Sequence, residues 1–268
     1  MDNENDQTLG EVCEPMNEKA WNDLAYEAWI TKYGIPQEVA ARIRTNPEKY
    51  LAILLEKFGD VKNKKIANLM GSNGMKAVAL AFLGAQATVF DFSSGNKKYA
   101  EELSEFAQVY IRYVLGNVIS LPEEEVTGDY DIAFAEMGIL HYFADLEPLF
   151  NAAYDLLKPG GMFVLRDFHP VSTKLISSRG TTAKIRKHKI DGDYFDTSLI
   201  ESEIAYGKYL PEMETQKVLL RKWNLGEIIT VVARSGFIIE SLDEEPNFSS
   251  EEFDKGIPKT FTLMARKR

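Results

Sequence analysis

The chain is poor in the residues that hold metals and disulfides. It has one cysteine, Cys13, and three histidines among 268 residues. A lone cysteine forms no disulfide within its own chain and builds no thiolate cluster, so no metal site is expected. No apolar run approaches the ~18 residues of a membrane span. Positive charge is scarce too: 31 Lys and Arg stand against 41 Asp and Glu, a net charge of −10. Phosphate backbones repel such a surface, so nucleic acid is not an expected partner. The one basic run, "KIRKHK" at 184–189, reads as a solvated strand or loop. The first residues are acidic and polar rather than signal-like. Residues 1–16 are therefore expected to form a disordered tail, and the location to be cytoplasmic.

What is present is an alternation of helical and strand-like segments. Residues 17–58 read as helices. "NEKAWNDLAYEAWI" places Trp21, Leu24, Ala25, Ala28 and Trp29 on one face. "PQEVAARIRT" and "NPEKYLAILLEKFG" follow after a break at "YGIP". From Lys64 onward short apolar runs alternate with amphipathic stretches: "KIANLM", "MKAVALAFLG", "ATVFDF", "GNKKYAEELSEFAQ", "VYIRYVLG", "YDIAFAEM" and "MFVLRDFHP". Such alternation implies βαβ units and a mostly parallel sheet. Residues 171–222 interrupt the rhythm with strand-like, hairpin-forming segments. A helix, "LGEIITVVARSG", and two strands, "FIIESLDEE" and "KTFTLMARK", then resume it. One domain over 17–268 is expected, divided into helices (17–58), a core (64–170), a β-rich insertion (171–222) and closing elements (223–268).

Glycine is short at one telling place. The turn "NLMGSNG" at 68–74 holds two glycines where nucleotide-binding turns usually hold three. An acid, Asp91, ends the next strand twenty positions after Gly71, matching the spacing of ~20 of dinucleotide sites. Alone, this segment suits either a cofactor unit or an ordinary capped helix.

Two further segments extend the pattern: "DYDIAFAEMGILHYFADL" and "LLKPGGMFVLRDFHP". With "NLMGSNG" and "VFDFS", they stand in the order and spacing of the class I S-adenosylmethionine-dependent methyltransferases, which the chain closely resembles over 64–170. Its flanks resemble the family's helical lid and closing strands. The resemblance implies an α/β, Rossmann-like, doubly wound fold. Its seven-stranded sheet would be mostly parallel, with an antiparallel last strand. It also implies S-adenosylmethionine as cofactor and methyl transfer to a small-molecule acceptor.

Carried onto this sequence, the family pattern puts Gly71, Ser72, Asn73 and Gly74 under the methionine part of the cofactor, with Asn68 at the turn's acid position. Asp91 would hold the ribose and Phe92 would lie beside the adenine. Asn117 would face the adenine amino group and the Val118 amide a ring nitrogen. Glu136 and Met137 would line the methionine moiety near His141. Tyr26 is expected to touch the ligand from the lid, while Trp21 and Trp29 suit either a lid or a helical core. His141 and His169 are the candidate bases, with Asp167 similarly placed. The plainer roles are helix entry for His141 and a loop cap for His169. Aromatic residues at the insertion's borders, Tyr194, Phe195, Tyr206, Tyr209 and Trp223, suit an acceptor pocket or the hairpins' own packing.

The chain departs from the family at Asn68, Met70, Ser72 and Asn117. An amide gives up the charge-assisted bond that an acid makes to a cationic amine. A side chain at Met70 costs ~1 kcal/mol or more if φ there is positive. These departures motivate a second expectation, a non-catalytic S-adenosylmethionine-binding or regulatory protein. A nicotinamide oxidoreductase is disfavoured by the missing Gly-x-Gly-x-x-Gly turn. Monomer and homodimer are both open.

Overall fold

Strands buried on both faces carry mostly apolar side chains, and the central strands here do so, with the buried Asn68 and Thr88 among the exceptions. The computed structural model describes residues 17, 20–22, 24–179, 187–212, 216–246 and 256–268. The expected tail, and 184–186 of the basic run, lie outside the described residues. The core strands are β1 (Lys65–Leu69), β2 (Gln86–Asp91), β3 (Arg112–Leu115), β4 (Tyr130–Glu136) and β5 (Leu157–Phe168). Along β4 the side chains alternate between two apolar layers. Ile132 and Phe134 enter one, Ala133 and Ala135 the other. The first layer is shared with Val39, Ile43, Val78, Leu80, Tyr99 and Leu103. These lie on helices α2 (Pro36–Thr45), α5 (Met75–Phe82) and α6 (Ser94–Ala107). The second is shared with α7 (Glu147–Leu156) and α8 (Leu225–Arg234) through Leu149, Phe150, Ile228 and Val232.

With β10 (Phe237–Glu245) and β11 (Thr260–Lys267), the sheet has seven strands in the order β10-β11-β5-β4-β1-β2-β3. Strands β1 to β5 pair in parallel, and β11 runs antiparallel to both of its neighbours. This is the α/β, doubly wound, mostly parallel sheet expected. The strand order reverses between β1 and β4, and in open sheets ligands bind beyond the carboxyl ends of the strands at that reversal.

Three local expectations change. The stretch "NPEKYLAILLEKFG" is two helices, α3 (Glu48–Leu51) and α4 (Ile53–Phe58), broken at Ala52, where φ is +39°. Strand β3 is only four residues long. The insertion forms two separate hairpins, β6 (Ile176–Arg179) with β7 (Lys187–Ile190) and β8 (Leu199–Glu203) with β9 (Lys217–Arg221). The insertion is tied back to the core. The buried Lys174 ammonium donates to the carbonyls of Asp196 (2.5 Å) and Lys222 (2.7 Å). Trp223 Nε1 donates to the Leu140 and Phe143 carbonyls, at 3.0 and 3.2 Å. The N-terminal helix α1, whose described part includes 24–33, is held by the Tyr206 hydroxyl, which donates to the Ala20 carbonyl.

Candidate active site

The turn after β1 leaves the extended region abruptly. Met70, Ser72 and Gly74 all have left-handed backbones, with φ of +48°, +50° and +73°. The two glycines stand where a side chain has no room. A Cβ at Gly71 would lie 2.6 Å from Asn68 Oδ1 and 2.9 Å from Val89 Cγ1. At Gly74 it would lie 2.6 Å from the Ala100 Cβ, against α6. Met70 and Ser72 carry side chains in the same backbone region, at a cost of about 1–2 kcal/mol each. Hydrogen bonds hold the shape. The Ser72 N–H donates to Asp91 Oδ2 (2.9 Å), and the Tyr113 hydroxyl donates to the Ser72 carbonyl (3.1 Å).

Asp91 ends β2 and is nearly buried. Its other oxygen accepts from the Ser93 N–H at 2.9 Å and from Asn96 Nδ2 at 3.2 Å. Burial pushes its carboxyl pKa up, against the bonds from Ser93, Asn96 and Ser72 and the nearby Tyr113 hydroxyl, whose proton goes to the Ser72 carbonyl. Three of the roughly four acceptor positions of a carboxylate are thus engaged, leaving about one for a ligand hydroxyl. Asn96 in turn accepts from Trp29 Nε1 at 2.7 Å, so a chain of bonds joins helix α1 to the turn through Asp91.

At the carboxyl end of β4, Glu136 pairs with Lys76 (2.7 Å) and with Arg166 (3.4 Å). Arg166 also pairs with Glu245 at 3.0 Å, and Glu245 accepts from the hydroxyls of Thr260 and Thr262. Met137 follows with φ +62°. The loop carrying His141 is anchored by Asp167. Its Oδ1 accepts from the N–H groups of Gly138 (2.6 Å) and Phe168 (2.7 Å), and its Oδ2 from those of Ile139 and Leu140 (both 3.0 Å). All four acceptor positions of Asp167 are filled, so its role is to shape this loop.

These elements enclose a cavity of about 450 Å³, a size typical of small-ligand sites. Asn68, Gly71, Ser72, Asn73, Asp91, Phe92, Glu136, Met137 and His141 all line it, with Trp21 and Trp29. Asn68 is 3% exposed, and its Oδ1 has no hydrogen-bond partner among the described residues. The His141 ring lies 4.4 Å from the Tyr142 ring, tilted by 47°, and makes no hydrogen bond among the described residues. Burial lowers its pKa, opposed by the charge of Asp167.

Other expected residues lie elsewhere. Tyr26 turns to α6, where its hydroxyl donates to Glu102 Oε2 at 2.6 Å. That bond, first among the causes, raises its pKa to about 12. His169 is 2% exposed. Its Nδ1 accepts from the Val171 N–H at 3.1 Å and its Nε2 faces Glu244 Oε1 at 2.7 Å, so it caps the loop after β5. Gly74 packs behind the turn. Asn117 and Val118 border a separate recess of about 20 Å³ with Met70 and Phe92. That space admits about one water, so an adenine ring there requires the Met70 or Phe92 side chain to shift.

Several lining residues stand outside the motifs read in the sequence: Lys32, Tyr33, Tyr50, Lys76 and Lys208, with Phe168 from the end of β5 and Tyr209 from the insertion's border beside them. Lys32 and Tyr33 had a weak signal, lying one helical turn beyond Trp29. Burial opposes the Lys32 charge, but hydrogen bonds to Tyr209 and Tyr33 outweigh it and hold its pKa above the ordinary value.

Residues 70–165 match the family model for the methyltransferase domain. No curated protein matches the sequence. Among solved structures, a Listeria monocytogenes protein assigned as an S-adenosylmethionine-dependent methyltransferase superposes with a TM-score of 0.62 at 20% identity. The match covers 84% of this chain and 99% of that one. An S-adenosylmethionine-dependent methyltransferase from Mesorhizobium loti gives 0.60 at 22%, covering 82% and 98%. The magnesium protoporphyrin IX methyltransferase of Synechocystis, solved with bound SAH, gives 0.57 at 13%, covering 95% and 99%. The resemblance read from the four sequence segments is borne out: residues 70–165 match the methyltransferase-domain model, on a fold shared with S-adenosylmethionine-dependent methyltransferases.

Proposed function

We propose that this methyltransferase-fold chain binds S-adenosylmethionine in the 450 Å³ cavity and transfers its methyl group to a small-molecule acceptor. The observation that carries this reading is the unpartnered Asn68 Oδ1, buried in the cavity wall beneath the turn. An orphaned buried acceptor costs about 1–3 kcal/mol, which a ligand donor restores. Neither end of the Asn68 amide is hydrogen-bonded among the described residues, so a half-turn about χ2 presents the oxygen to a ligand ammonium without breaking a bond. Asp91 and Phe92 then suit the ribose and the adenine. The SAH-bound Synechocystis structure, sharing this fold, supports the same cofactor.

When bound, S-adenosylmethionine supplies a methyl group already activated on a sulfonium. The chain's own tasks are alignment and exclusion of water. Trp21 and Trp29 cover the cavity from α1, which the Trp29–Asn96–Asp91 bonds tie to the cofactor turn. His141, held toward its neutral form by burial, is the group placed to take a proton from an acceptor that must lose one. The division of 17–268 into lid, core, insertion and closing elements belongs to the same proposal, as does a cytoplasmic location. Among the described residues no helix is long and apolar enough to cross a membrane.

The left-handed Met70 and Ser72 and the narrow recess beside Asn117 favour, as a second reading, a binding protein without turnover. Calorimetry with S-adenosylmethionine and with SAH decides the first step, and no heat with either at millimolar ligand overturns the cofactor reading. Where binding is found, a screen of small metabolites for SAH release separates turnover from binding alone.

A further inference from the structure

A second cavity, of about 360 Å³, lies on the other side of His141 and Phe168, which line both cavities. Its far wall comes from the insertion and the segment after it: Ile200, Leu220, Arg221, Lys222 and Trp223. Two of its apolar residues are unusually exposed, Phe168 at 44% and Ile200 at 38%. Large apolar side chains exposed inside a concavity are uncovered until a ligand fills it.

The polar groups of this cavity are unequal. Asp167 lines it, but four backbone N–H groups fill its acceptor positions, so a ligand donor finds no partner there. Arg221 lies flat on Trp223, its Cζ 3.6 Å from the ring centre. It donates to the Ala144 carbonyl at 2.6 Å and pairs with Glu227 at 3.1 Å, while its Nε is buried without a partner among the described residues. The carbonyl of Lys222 is bonded by Lys174, and its own ammonium makes no hydrogen bond or ion pair among the described residues. Beside the His141 imidazole, which can accept, the open partner is therefore a cation, the exposed Lys222 ammonium. It sits at the rim of an apolar, aromatic-walled space.

We infer that this second cavity is the acceptor's chamber, and that the acceptor is a small organic acid. Its flat apolar body would lie against Phe168, Leu220 and Trp223, with its carboxylate at Lys222 beside the Arg221 guanidinium. Its other end would reach His141. The assignment of an acceptor rests on the first cavity holding S-adenosylmethionine; the binding chemistry of the second cavity does not.

The test uses the full chain and two probes of one shape, 1-naphthoate and neutral 1-naphthamide, titrated by calorimetry with and without SAH. The expected result is saturable binding of 1-naphthoate at one site, about tenfold tighter than the amide, and additive with SAH. Lys222→Glu, at an exposed position, should erase the preference for the acid while leaving amide binding unchanged. Leu220→Trp should fill the chamber and remove both probes while the SAH affinity stays within about twofold. The inference is overturned by absence of saturable naphthoate binding at millimolar concentration, by equal affinity for acid and amide, or by competition between naphthoate and SAH. If SAH fails to bind while naphthoate still responds to Lys222→Glu and Leu220→Trp, the cofactor reading falls and the acid-binding cavity stands.

Discussion

Replacing Asn68 by leucine should make the empty protein more stable and the cofactor weaker, a combination that few site substitutions produce. Asn68 lies in the interior strand β1, opposite Val89 on β2 and Phe134 on β4. It is 3% exposed, and its Oδ1 has no partner among the described residues. A buried acceptor left unsatisfied costs about 1–3 kcal/mol, and leucine has nearly the same branched shape without that cost. After an imperfect fit is discounted, a gain of about 1 kcal/mol is expected. In a domain somewhat larger than 250 residues this raises Tm by about 2–4 °C. The same change removes a hydrogen bond to a cationic ammonium, worth about 1.5–3 kcal/mol. The Kd for S-adenosylmethionine should therefore rise about 10- to 100-fold. Urea unfolding without ligand and calorimetry with it measure the two effects on the same preparation. Asn68→Asp is the counterpart, since a carboxylate binds an ammonium more strongly but is costly to bury empty. It should tighten the cofactor and lower the stability of the empty protein. If Asn68→Leu unfolds more easily by over about 1 kcal/mol, the amide is satisfied after all and the argument from its orphaned oxygen fails. If the affinity does not move, Asn68 does not hold the amine.

Asp91→Asn sets an amide NH2 against donors that now meet a carboxylate, so a loss of about 2–3 kcal/mol in urea unfolding is expected. A loss under about 0.5 kcal/mol would show that Asp91 does not organise the turn. Arg166→Met leaves Glu136 with Lys76 alone and Glu245 with only its threonine donors, both carboxylates about 10% exposed, and should cost about 3 kcal/mol. Adding Glu245→Gln should recover part of that loss, and strict additivity of the two changes would contradict a shared network. Stability should also fall on mild acidification. Burial lowers the pKa of His141, opposed by Asp167, and that of His169, opposed by Glu244. Below the unfolded value of about 6.5 the unfolded chain then binds more protons than the native one, so stability drops as pH falls from there through the folded values. Urea unfolding at a series of pH values measures this slope, and His169→Gln should flatten it. A flat profile in wild type rules out neutral buried histidines.

How far the site could be read in advance depended on how local each position is. Asn68, the turn and Asp91 follow from strand ends and a spacing along the chain, and they meet at one cavity because parallel strands in register bring their carboxyl ends together. The possibility of a positive φ at Met70 was also legible, because the turn type demands it, and φ there is +48°. Tyr26 and His169 show the opposite case. Helical periodicity placed Tyr26 beside an apolar face but could not say that α6 brings Glu102 within 2.6 Å of its hydroxyl. His169 follows a strand that ends near the site, yet the chain turns back through Pro170 and closes on Glu244 from β10, 75 positions away in sequence. The break at Ala52 was invisible for a related reason, since nothing in "KYLAILL" disfavours a continuous helix.

By itself the sequence determined the strand and helix alternation, the parallel sheet and the cofactor-type turn with its acid. Each of these rests on hydrophobic period, turn chemistry or short spacing, which act between near neighbours. Only the tertiary structure decided that Asp167 is saturated by backbone donors and that Asn68 is left without one. It alone set a second cavity, rimmed by Arg221 and Lys222, behind His141. Those outcomes depend on which groups compete for each hydrogen bond once distant segments are packed together. That competition is settled by three-dimensional proximity, which the order of residues does not encode one segment at a time.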